Sequence, residues 1–352
     1  MRDTALPPVS IVILNYNGKH HLKECFESLY KLDYPKSKYE VIMGDNASSD
    51  DSVKYVRTNF PWVKIVKFDK NYGFCKSNNE IAKTSQGEYL VFLNNDTIVT
   101  EDWLKNFVTP LTQKKEVLSA GCKMLKSYEI NGKEVIDYAG GKISPDGGGM
   151  YIGMLDKDKR EYNLKKYTGF GCGAGVIVNK KFFLNTGGFD EYYFAGYEEM
   201  DLGLRVWKYG YKVLYVPNSV MYHKRLGTFG SHFNLDMLAR NTKNRFYFIL
   251  KNFEIKIIFI FLFWAVLKCF FEMFYFVLKG KRDISIAIIK GMIWFLKDIK
   301  NEKALKRILE ERKKMNRNKK VSDNVLFEYG IISTIREKME YGKYYLQVAK
   351  DD

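Results

Sequence analysis

Two short stretches of the chain place acidic residues beside apolar runs, and these acids are the residues best suited to chemistry. The first stretch is Leu93-Asn94-Asn95-Asp96, and the second extends from Gly188 to Leu202. Burying a charge is costly unless a cation or a hydrogen-bond partner accompanies it. The first stretch therefore predicts a metal-ion site, and the second predicts a catalytic base. Together they predict an enzyme that handles a negatively charged, metal-bound leaving group.

Asp96 follows the run Glu88–Leu93, which is apolar at nearly every position. A short run of this kind is typical of a strand that is buried on both faces of a sheet. The polar residues then fall at the carboxyl end of the strand, where open α/β sheets bind ligands. Their oxygens suit a hard cation such as Mg²⁺ or Mn²⁺. The alternative is that Asn94–Thr97 is only a turn followed by a helix cap.

The same order of apolar strand and polar end recurs in the N-terminal part of the chain. Strands are predicted at Val9–Leu14, Glu40–Gly44 and Lys64–Phe68, and small polar residues follow each of them. Helical spacing of apolar residues, as in 22–29, separates the strands. Four alternations of strand and helix predict an α/β fold with a mostly parallel, doubly wound sheet and a polar crevice at its carboxyl edge.

The order of these motifs resembles the family 2 glycosyltransferases of the GT-A fold, in particular their rhamnosyltransferase-like branch. The resemblance covers residues 1–245 well and extends more loosely beyond them. An ordered series of motifs is more specific than any one motif alone. In chain order the matching motifs are Ser10–Gly18, Asp45–Asp50, Asn71–Phe74, Leu93–Asp96, Gly171–Gly175, Gly187–Glu191, Glu198–Leu202 and Tyr222–His223.

The resemblance implies a nucleoside-diphosphate sugar as the donor, with dTDP or UDP as its nucleotide. Asp45 would accept a hydrogen bond from the imide N–H of the base. Gly73 would allow close approach of the backbone to the donor, and the helix behind it would favour phosphate. Asn95 would lie nearer the ribose. The implied nucleotide-binding residues are Leu14, Asn15, Asp45, Gly73, Asn79 and Asn95.

The resemblance also implies the metal ligands. Asp96 resembles the last acid of the family's DxD motif, which would bind the cation that bridges the donor phosphates. Asn94 stands where many relatives have Asp, so one fewer charge predicts a weaker metal site. His223 resembles the family's late histidine, which implies a second contact to the metal or the diphosphate. From the residues alone, His223 could simply end the strand Lys212–Val216.

Glu199 aligns with the position of the general base, which would take the proton of the acceptor hydroxyl as it attacks the anomeric carbon. Asp201 and Arg205 form an i,i+4 pair on a helix, which favours a structural or sugar-orienting role for Asp201. The alternative for all of these acids is the solvated start of a helix. Contacts to the donor sugar or the acceptor are predicted for Gly173, Ala174, Glu198, Asp201 and Arg240.

Cysteine usage and the chain start predict a cytoplasmic protein. The five cysteines are scattered, odd in number and without a CxxC pair, which indicates reduced thiols. The residues from Met1 lead directly into a predicted strand without a secretory signal. The glycine-rich span Lys123–Thr168 is predicted to be a hairpin excursion outside the sheet that forms part of an acceptor wall.

The composition changes after Arg245. Ile257–Leu278 is almost wholly apolar apart from Lys268 and Glu272, and Ile284–Leu296 is a second apolar stretch too short to span a bilayer. On a helix the charges fall on one narrow stripe. We predict that both helices lie in the membrane interface, because the two mid-segment charges disfavour a full span. The alternative is a hairpin that packs within the protein or forms a homodimer.

The formal net charge is +16, and Lys297–Lys320 is conspicuously basic. A basic balance can indicate nucleic acid, membrane or anionic substrates. No nucleic-acid-binding motif is present, and the basic run adjoins the apolar helices, so anionic lipid is the favoured partner. The predicted domains are a catalytic domain at 1–245, an apolar helical region at 246–300 and a basic tail at 301–352.

The sequence therefore predicts a metal-dependent, inverting glycosyltransferase on the inner face of the cell membrane. It would move one sugar, rhamnose or a similar one, to a surface polysaccharide or a lipid-linked oligosaccharide. No QxxRW motif follows the acids, which disfavours a processive synthase. Two alternatives are a polyprenyl-phosphate sugar synthase and a catalytically silent, membrane-associated protein that binds sugar nucleotides.

Overall fold

The computed structural model describes residues 6–130, 132–224 and 235–342. The chain divides into two compact units, each made of several segments. The first unit comprises Met1–Gly141, Tyr151–Val206 and Tyr211–Gly227, and the second comprises Lys142–Met150, Trp207–Gly210 and Thr228–Asp352.

The N-terminal part of the first unit alternates strands and helices, as the apolar runs predicted. Strands β1 and β4 are buried along nearly their whole length, which is why their sequences are continuous apolar runs. The strands are β1 (Val9–Asn15), β2 (Tyr39–Asp45), β3 (Lys64–Lys67) and β4 (Tyr89–Asn94). The helices between them are α1 (Lys19–Tyr30), α2 (Ser52–Asn59) and α3 (Gly73–Thr84).

The remaining elements of the catalytic region follow in a less regular order. The strands are β5 (Thr97–Val99), β6 (Val117–Ile130), β7 (Lys133–Tyr138), β8 (Gly141–Ile143), β9 (Gly149–Tyr151), β10 (Lys166–Tyr167), β11 (Gly175–Asn179) and β12 (Lys212–His223). The helices are α4 (Trp103–Gln113), α5 (Lys180–Asn185) and α6 (Glu198–Lys208), and short 3₁₀ turns lie at Lys36–Lys38, Arg160–Asn163 and Glu191–Tyr193.

Ten strands of the described chain form one sheet, in the order β10-β12-β6-β11-β4-β1-β2-β3, with β5 beside β12 and β7 beside β6. Strands β1 to β4 pair in parallel, whereas β11 runs antiparallel to both β4 and β6. In the parallel half, Asn15 lies beside Asp45, and Leu14 lies beside Asn94. The polar ends of these strands therefore meet at one edge of the sheet, where the sequence placed the crevice.

The span Lys123–Thr168 differs from its prediction as an excursion outside the sheet. Its first part belongs to β6, which pairs in the main sheet with β12 and β7. Lys123 and Lys126 are both buried, and the Lys123 ammonium pairs with Asp158. Lysines usually lie on the solvent-exposed surface, so their presence in this span argued against the buried strand that the structure contains. Within the described part of the chain, β8 and β9 form a separate two-stranded sheet.

The second unit is mainly helical. Within it, α7 packs on α9, and the rings of Phe246 and Phe295 stack with their centres 5.1 Å apart. The predicted domain limit at residue 245 lies inside α7. The helices are α7 (Leu235–Asn252), α8 (Ile255–Leu278), α9 (Arg282–Lys300), α10 (Glu302–Asn318) and α11 (Asp323–Glu328).

Lys268 of helix α8 is turned towards the second unit. Lys268 lies on the same face as the buried residues Phe261 and Ala265, and its Nζ is 3.1 Å from Oδ2 of the buried Asp146. Burial opposes ionisation, yet the cations of Lys268, Arg245 and Lys338 hold the pKa of Asp146 far below its usual range. The exposed side of α8 is apolar, with Phe259, Ile260, Phe263, Phe270, Phe271, Phe274 and Tyr275.

By length and composition, α8 is the one helix in the described part of the chain that is long and apolar enough to cross a membrane. Most of its apolar surface lies outside the protein core. From the sequence, Lys268 and Glu272 disfavour a membrane span. In the structure, Lys268 pairs with Asp146 of the second unit and lies 3.6 Å from Glu272.

Replacing Gly291 of α9 with alanine is expected to destabilise the second unit. The added Cβ would lie 2.7 Å from Cβ of Thr242 and still closer to the carbonyl oxygen of Ala239. Overpacking of this kind costs about 1–3 kcal/mol, which exceeds the helix-propensity gain of up to about 1 kcal/mol. Urea unfolding followed by tryptophan fluorescence should show a lower midpoint for Gly291→Ala. The exposed Lys297→Ala in the same helix is the control, and equal midpoints for the two variants would contradict the packing argument.

Candidate active site

Side-chain hydrogen bonds join the polar ends of β1, β2 and β4. Nδ2 of the fully buried Asn15 donates to Oγ of Ser48 at 3.2 Å, and its Oδ1 accepts from Nδ2 of Asn95 at 2.8 Å. The carbonyl of Asn15 accepts from the backbone N–H of Asn46 at 2.8 Å. Asn15 and Asn95 therefore hold three strand ends together. The neighbouring Leu14 is partly exposed at the same edge.

Asp45 ends β2 and is almost fully buried. Its Oδ2 accepts from the backbone N–H of Ser48 at 3.3 Å, whereas its buried Oδ1 has no protein partner among the described residues. A cavity of about 540 Å³ lies beside it, lined also by Arg57 and Lys67. A buried carboxylate oxygen without a donor is costly unless a ligand supplies one. Asp45 therefore has a carboxylate oxygen without a donor among the described residues, and its side chain borders this cavity.

Asn46 was not predicted as a site residue, but it organises the start of α3. Its Oδ1 accepts from the backbone N–H of Tyr72 at 3.0 Å and from Oγ of Ser77 at 2.9 Å. Gly73 has φ of 80°, and a Cβ there would lie 2.6 Å from the ring of Phe194. Phe194 therefore approaches Gly73 closely, and the predicted contact of Gly73 with the donor stays a prediction.

Asn79, which is predicted among the nucleotide contacts, bonds within the protein to the segment that precedes the acids. Its Nδ2 donates to the carbonyl of Phe189 at 2.8 Å, and its Oδ1 accepts from the Phe189 N–H at 2.8 Å. Both ends of the amide are occupied by one backbone unit of the Gly-Phe-Asp-Glu segment. Asn79 therefore fixes the segment that precedes the acids. The sequence could not show this, because the two residues are far apart in the chain.

Asp96 and His223 lie together, although they belong to different strand ends. Oδ1 of Asp96 is 3.4 Å from Nε2 of His223, and Oδ2 of the fully buried Asp137 is 2.8 Å from Nδ1 of the same ring. Burial alone would lower the pKa of His223, but the hydrogen bonds to Asp137 and Asp96 raise it to about 9. Burial likewise opposes ionisation of Asp96, and His223 lowers the pKa of Asp96 nonetheless.

This pair fits a divalent cation that is shared with a ligand. A carboxylate oxygen and an imidazole nitrogen are both ligands of divalent metals. Asp137 would orient the imidazole by bonding to its other ring nitrogen, as carboxylates commonly do for metal-binding histidines. The two carboxylates that favour a proton on His223 would equally favour a cation. No cluster of three or more His, Cys, Asp or Glu side chains suited to a metal occurs within the described ranges. Substrate phosphates would complete such a site, as is usual for Mg²⁺.

Two buried carboxyl groups begin α6. Oε2 of Glu198 and Oε2 of Glu199 are both buried without a protein partner among the described residues, while Oε1 of Glu199 accepts from the Tyr151 hydroxyl at 3.0 Å. Burial, and then the charge of Glu199, raise the pKa of Glu198 well above its usual range. Burial also raises the pKa of Glu199, and its own backbone N–H and Tyr151 oppose that shift.

Gly173 and Ala174 bring the two ends of the crevice together. A Cβ at Gly173 would lie 3.7 Å from the carboxyl carbon of Glu199 and 3.9 Å from Oε1 of Glu198. The next carbonyl, that of Ala174, accepts from the backbone N–H of Asn94 at 3.0 Å. The acids and the Asp96 motif therefore lie at the same end of the sheet, near the start of β11.

Asp201 is held inside the protein. It forms the predicted i,i+4 ion pair with Arg205, and both side chains are buried. The Tyr193 hydroxyl donates to Oδ1 of Asp201 at 3.2 Å, and Arg205 donates to the carbonyl of Gly188 at 2.6 Å. This network connects α6 to the Gly-Phe-Asp-Glu segment. Of the two roles predicted for Asp201, it favours the structural role over the sugar-orienting one.

Arg240 lies on α7 in the second unit, with its guanidinium carbon 6.0 Å from the centre of the Trp294 ring. Its contact with the acceptor stays a prediction. Two residues of the first unit, Asp137 and Tyr151, were missed from the sequence. Asp137 interrupts an apolar strand, so the cost of burying a charge was a usable signal. Tyr151 gave no such signal, because tyrosine is common on half-buried strands.

Residues 10–185, half of the 352-residue chain, match the model of a protein family described as "Glycosyl transferase family 2". Glycosyltransferase AglE of Haloferax volcanii is 31% identical over 112 residues, which are 31% of this chain and 37% of AglE. TarS of Staphylococcus aureus, a poly(ribitol-phosphate) beta-N-acetylglucosaminyltransferase, is 27% identical over 130 residues, which are 36% of this chain and 22% of TarS. Each match spans less than two thirds of the relative.

A solved structure supports the same fold. Mannosyltransferase PcManGT from Pyrobaculum calidifontis, in complex with GDP-Man and Mn²⁺, aligns with a TM-score of 0.56 at 16% identity. The alignment covers 83% of this chain and 88% of that one. The predicted GT-A class of the fold is thereby confirmed.

Replacing Arg205 with leucine is expected to destabilise the first unit strongly. The substitution would leave the buried carboxylate of Asp201 without its cation, which typically costs about 3–5 kcal/mol. Lys83→Leu removes one partner of the exposed pair with Glu80 and is expected to cost at most about 1 kcal/mol. Urea unfolding of both variants measures the difference. Equal losses of unfolding free energy would show that burial of the Asp201–Arg205 pair does not determine its contribution to stability.

Proposed function

The chain belongs to glycosyl transferase family 2, and we propose on that premise that it transfers one sugar from a nucleoside-diphosphate sugar to an acceptor hydroxyl with inversion at the anomeric carbon. One observation carries the proposal. The Asp96–His223 pair and the buried carboxyls of Glu198 and Glu199 line one end of the sheet, joined through Gly173 and Ala174. Group transfer from a diphosphate needs both a cationic site for the leaving group and a base for the nucleophile.

The proposed donor carries dTDP or UDP, and its sugar is rhamnose or a similar hexose. The unpartnered Oδ1 of Asp45 beside the cavity supports a base with an imide N–H. Uracil and thymine present the same imide edge, so both satisfy this contact. PcManGT binds GDP-Man, which makes a guanine nucleotide the contrasting donor for a binding screen.

We propose that Asp96 and His223 hold Mn²⁺ or Mg²⁺ with the donor diphosphate. When bound, the cation would neutralise the charge of the leaving diphosphate. Asp137 orients the His223 ring through Nδ1, so that Nε2 faces Asp96. The backbone N–H of Asn94 donates to the carbonyl of Ala174. This hydrogen bond links the segment that carries Asp96 to the segment beside the two acids.

Glu199 is the proposed general base. Its Oε2 would accept the proton of the acceptor hydroxyl while that oxygen attacks the anomeric carbon and the bond from this carbon to the diphosphate breaks. The Tyr151 hydroxyl holds the other oxygen, Oε1, and stabilises the ionised form. Burial and the charge of Glu199 raise the pKa of Glu198, and we propose that Glu198 is the member of the pair that keeps a proton. A protonated Glu198 suits hydrogen-bond donation to the donor sugar or the acceptor.

Amide substitutions distinguish the two acids. Glu199→Gln cannot accept a proton and is expected to lose turnover by about 10²–10⁴-fold while keeping donor affinity. Glu198→Gln resembles the protonated acid in shape, so it is expected to keep most turnover. A thermal-shift screen of dTDP-, UDP- and GDP-sugars with Mn²⁺ identifies the donor, and release of nucleoside diphosphate then measures turnover. An inactive Glu198→Gln beside an active Glu199→Gln would reverse the assignment.

We further propose that the acceptor is a lipid-linked oligosaccharide or a growing surface polysaccharide, and that the enzyme works on the inner face of the cell membrane. The apolar outer side of α8 supports this, because an exposed apolar patch of this kind marks an interaction surface. The basic residues of 297–320 would add attraction to anionic lipid heads. A homodimer through the same face is the alternative occupant.

Substitutions on the outer side of α8 test the membrane proposal. The double variant Phe270→Asp/Phe274→Asp is expected to lose sedimentation with vesicles of phosphatidylglycerol and phosphatidylcholine, because both rings are exposed on that side. Leu164→Asp, an equally exposed apolar residue of the first unit, is the control and should still sediment. Salt should weaken binding of the wild type in part. Wild type that stays in the supernatant as a dimer, and becomes a monomer on the double substitution, would identify an oligomer interface instead.

A further inference from the structure

One face of α1 lies along the segment that carries the metal motif. His21, Cys25 and Ser28 share this face, because they are spaced by four and three residues on a helix. Sγ of Cys25 is 4.0 Å from the carbonyl oxygen of Asn94, and Oγ of Ser28 accepts from the backbone N–H of Val99 at 3.2 Å. The two contacts align the helix with residues 94–99. His21 lies one turn before Cys25 on the same face. The start of α1 also approaches the metal motif, because a Cβ at Gly18 would lie 3.3 Å from Cγ of Asn95.

His21 is a buried polar side chain whose ring is incompletely satisfied. It is 6% exposed, and its Nε2 is buried with no partner within the described ranges. An unpaired polar group in the interior is costly, whereas an apolar side chain at this position would complete the hydrophobic face of α1. The preceding residue, His20, is exposed, and the centre of its ring lies 3.8 Å from the centre of the His21 ring.

Lys224 provides a second tie between α1 and the metal motif. Its backbone N–H donates to the carbonyl of Asp96 at 3.0 Å, and its ammonium pairs with Glu24 of α1. Burial and the adjacent His20 lower the pKa of His21, and the carboxylate of Asp96 opposes that shift. The ring is therefore neutral near pH 7. A neutral imidazole can donate one hydrogen bond or accept one at Nε2.

We propose that His21 is a third side chain at the diphosphate end of the active site, where its Nε2 donates a hydrogen bond to a phosphate oxygen of the bound nucleoside diphosphate. The proposal rests on the proposed function, because it needs a diphosphate beside Asp96 and His223. The contact is assigned to the phosphate and not to the cation. Among the described residues, His21 does not form with that pair a three-ligand cluster of metal-binding geometry.

Binding of simple nucleotides to the full-length protein tests this assignment. His21→Leu is expected to weaken binding of UDP or dTDP in the presence of Mn²⁺ by about tenfold, which corresponds to the loss of one hydrogen bond to a charged group. Binding of uridine or thymidine, which carry no phosphate, should not change. His21→Gln keeps a donor near the Nε2 position and should recover part of the affinity. Isothermal titration calorimetry measures all of these constants.

The adjacent histidine is the matched control. His20→Leu alters the exposed ring and should leave nucleotide affinity at the wild-type value. His21→Leu should not lower the urea midpoint of the free protein, because it replaces an unsatisfied buried ring with an apolar side chain. A loss of diphosphate binding without a loss of stability would therefore identify a ligand contact and not a structural role.

Asp96→Ala distinguishes this proposal from the proposed function beneath it. If Asp96→Ala loses Mn²⁺-dependent nucleotide binding while His21→Leu binds UDP and dTDP like the wild type, the His21 assignment is wrong and the metal site stands. If neither variant changes Mn²⁺-dependent binding, the metal end of the proposed function is wrong, and the His21 assignment is wrong with it.

Discussion

The parallel pairing of β1 with β2 and β4 is the interaction on which the catalytic unit depends. It places Asn15 beside Asp45 and Leu14 beside Asn94, so that three polar strand ends converge at one edge. Backbone hydrogen bonds set this register, and the side chains of Asn15 and Asn95 then fasten the loops that follow. A slip of one residue in β1 would turn the polar ends to opposite faces of the sheet and would separate the loops.

Buried acids in this unit fall into two groups according to their partners. Asp201 and Asp137 are matched by Arg205 and His223 respectively, and these contacts hold elements in place. Glu198 and Glu199 have no cation beside them, and each leaves an oxygen without a partner in the described structure. Removing a partner from the first group would leave a buried charge uncompensated, whereas the carboxyls of the second group already lie buried without a compensating cation. Carboxyl oxygens without a partner suit the proposed base, because such an oxygen can accept the acceptor's proton without first losing another hydrogen bond.

The sequence predicted the elements whose signals are local. The strands β1 to β4 and the helices between them follow from continuous apolar runs and helical spacing, and the Asp201–Arg205 pair follows from an i,i+4 interval. Errors arose where a residue's environment depends on distant contacts. Lys123 is buried against Asp158, so β6 was missed, and Asn79 bonds to Phe189 far along the chain, a contact that the sequence did not predict. Tyr151 reaches Glu199 by the same kind of long-range contact.

The ion pair between Lys268 of α8 and Asp146 also affects how the chain folds. A newly made helix of this composition is expected to collapse with its aromatic side inward, since that orientation hides the most apolar surface from water. The native orientation instead turns those rings outward and pairs Lys268 with Asp146, a residue that is distant in sequence. Early collapsed states therefore compete with the native orientation until Asp146 is in place. Such states expose or misplace apolar surface and are prone to aggregation, so the yield of correctly folded protein should depend on how soon this ion pair forms after synthesis.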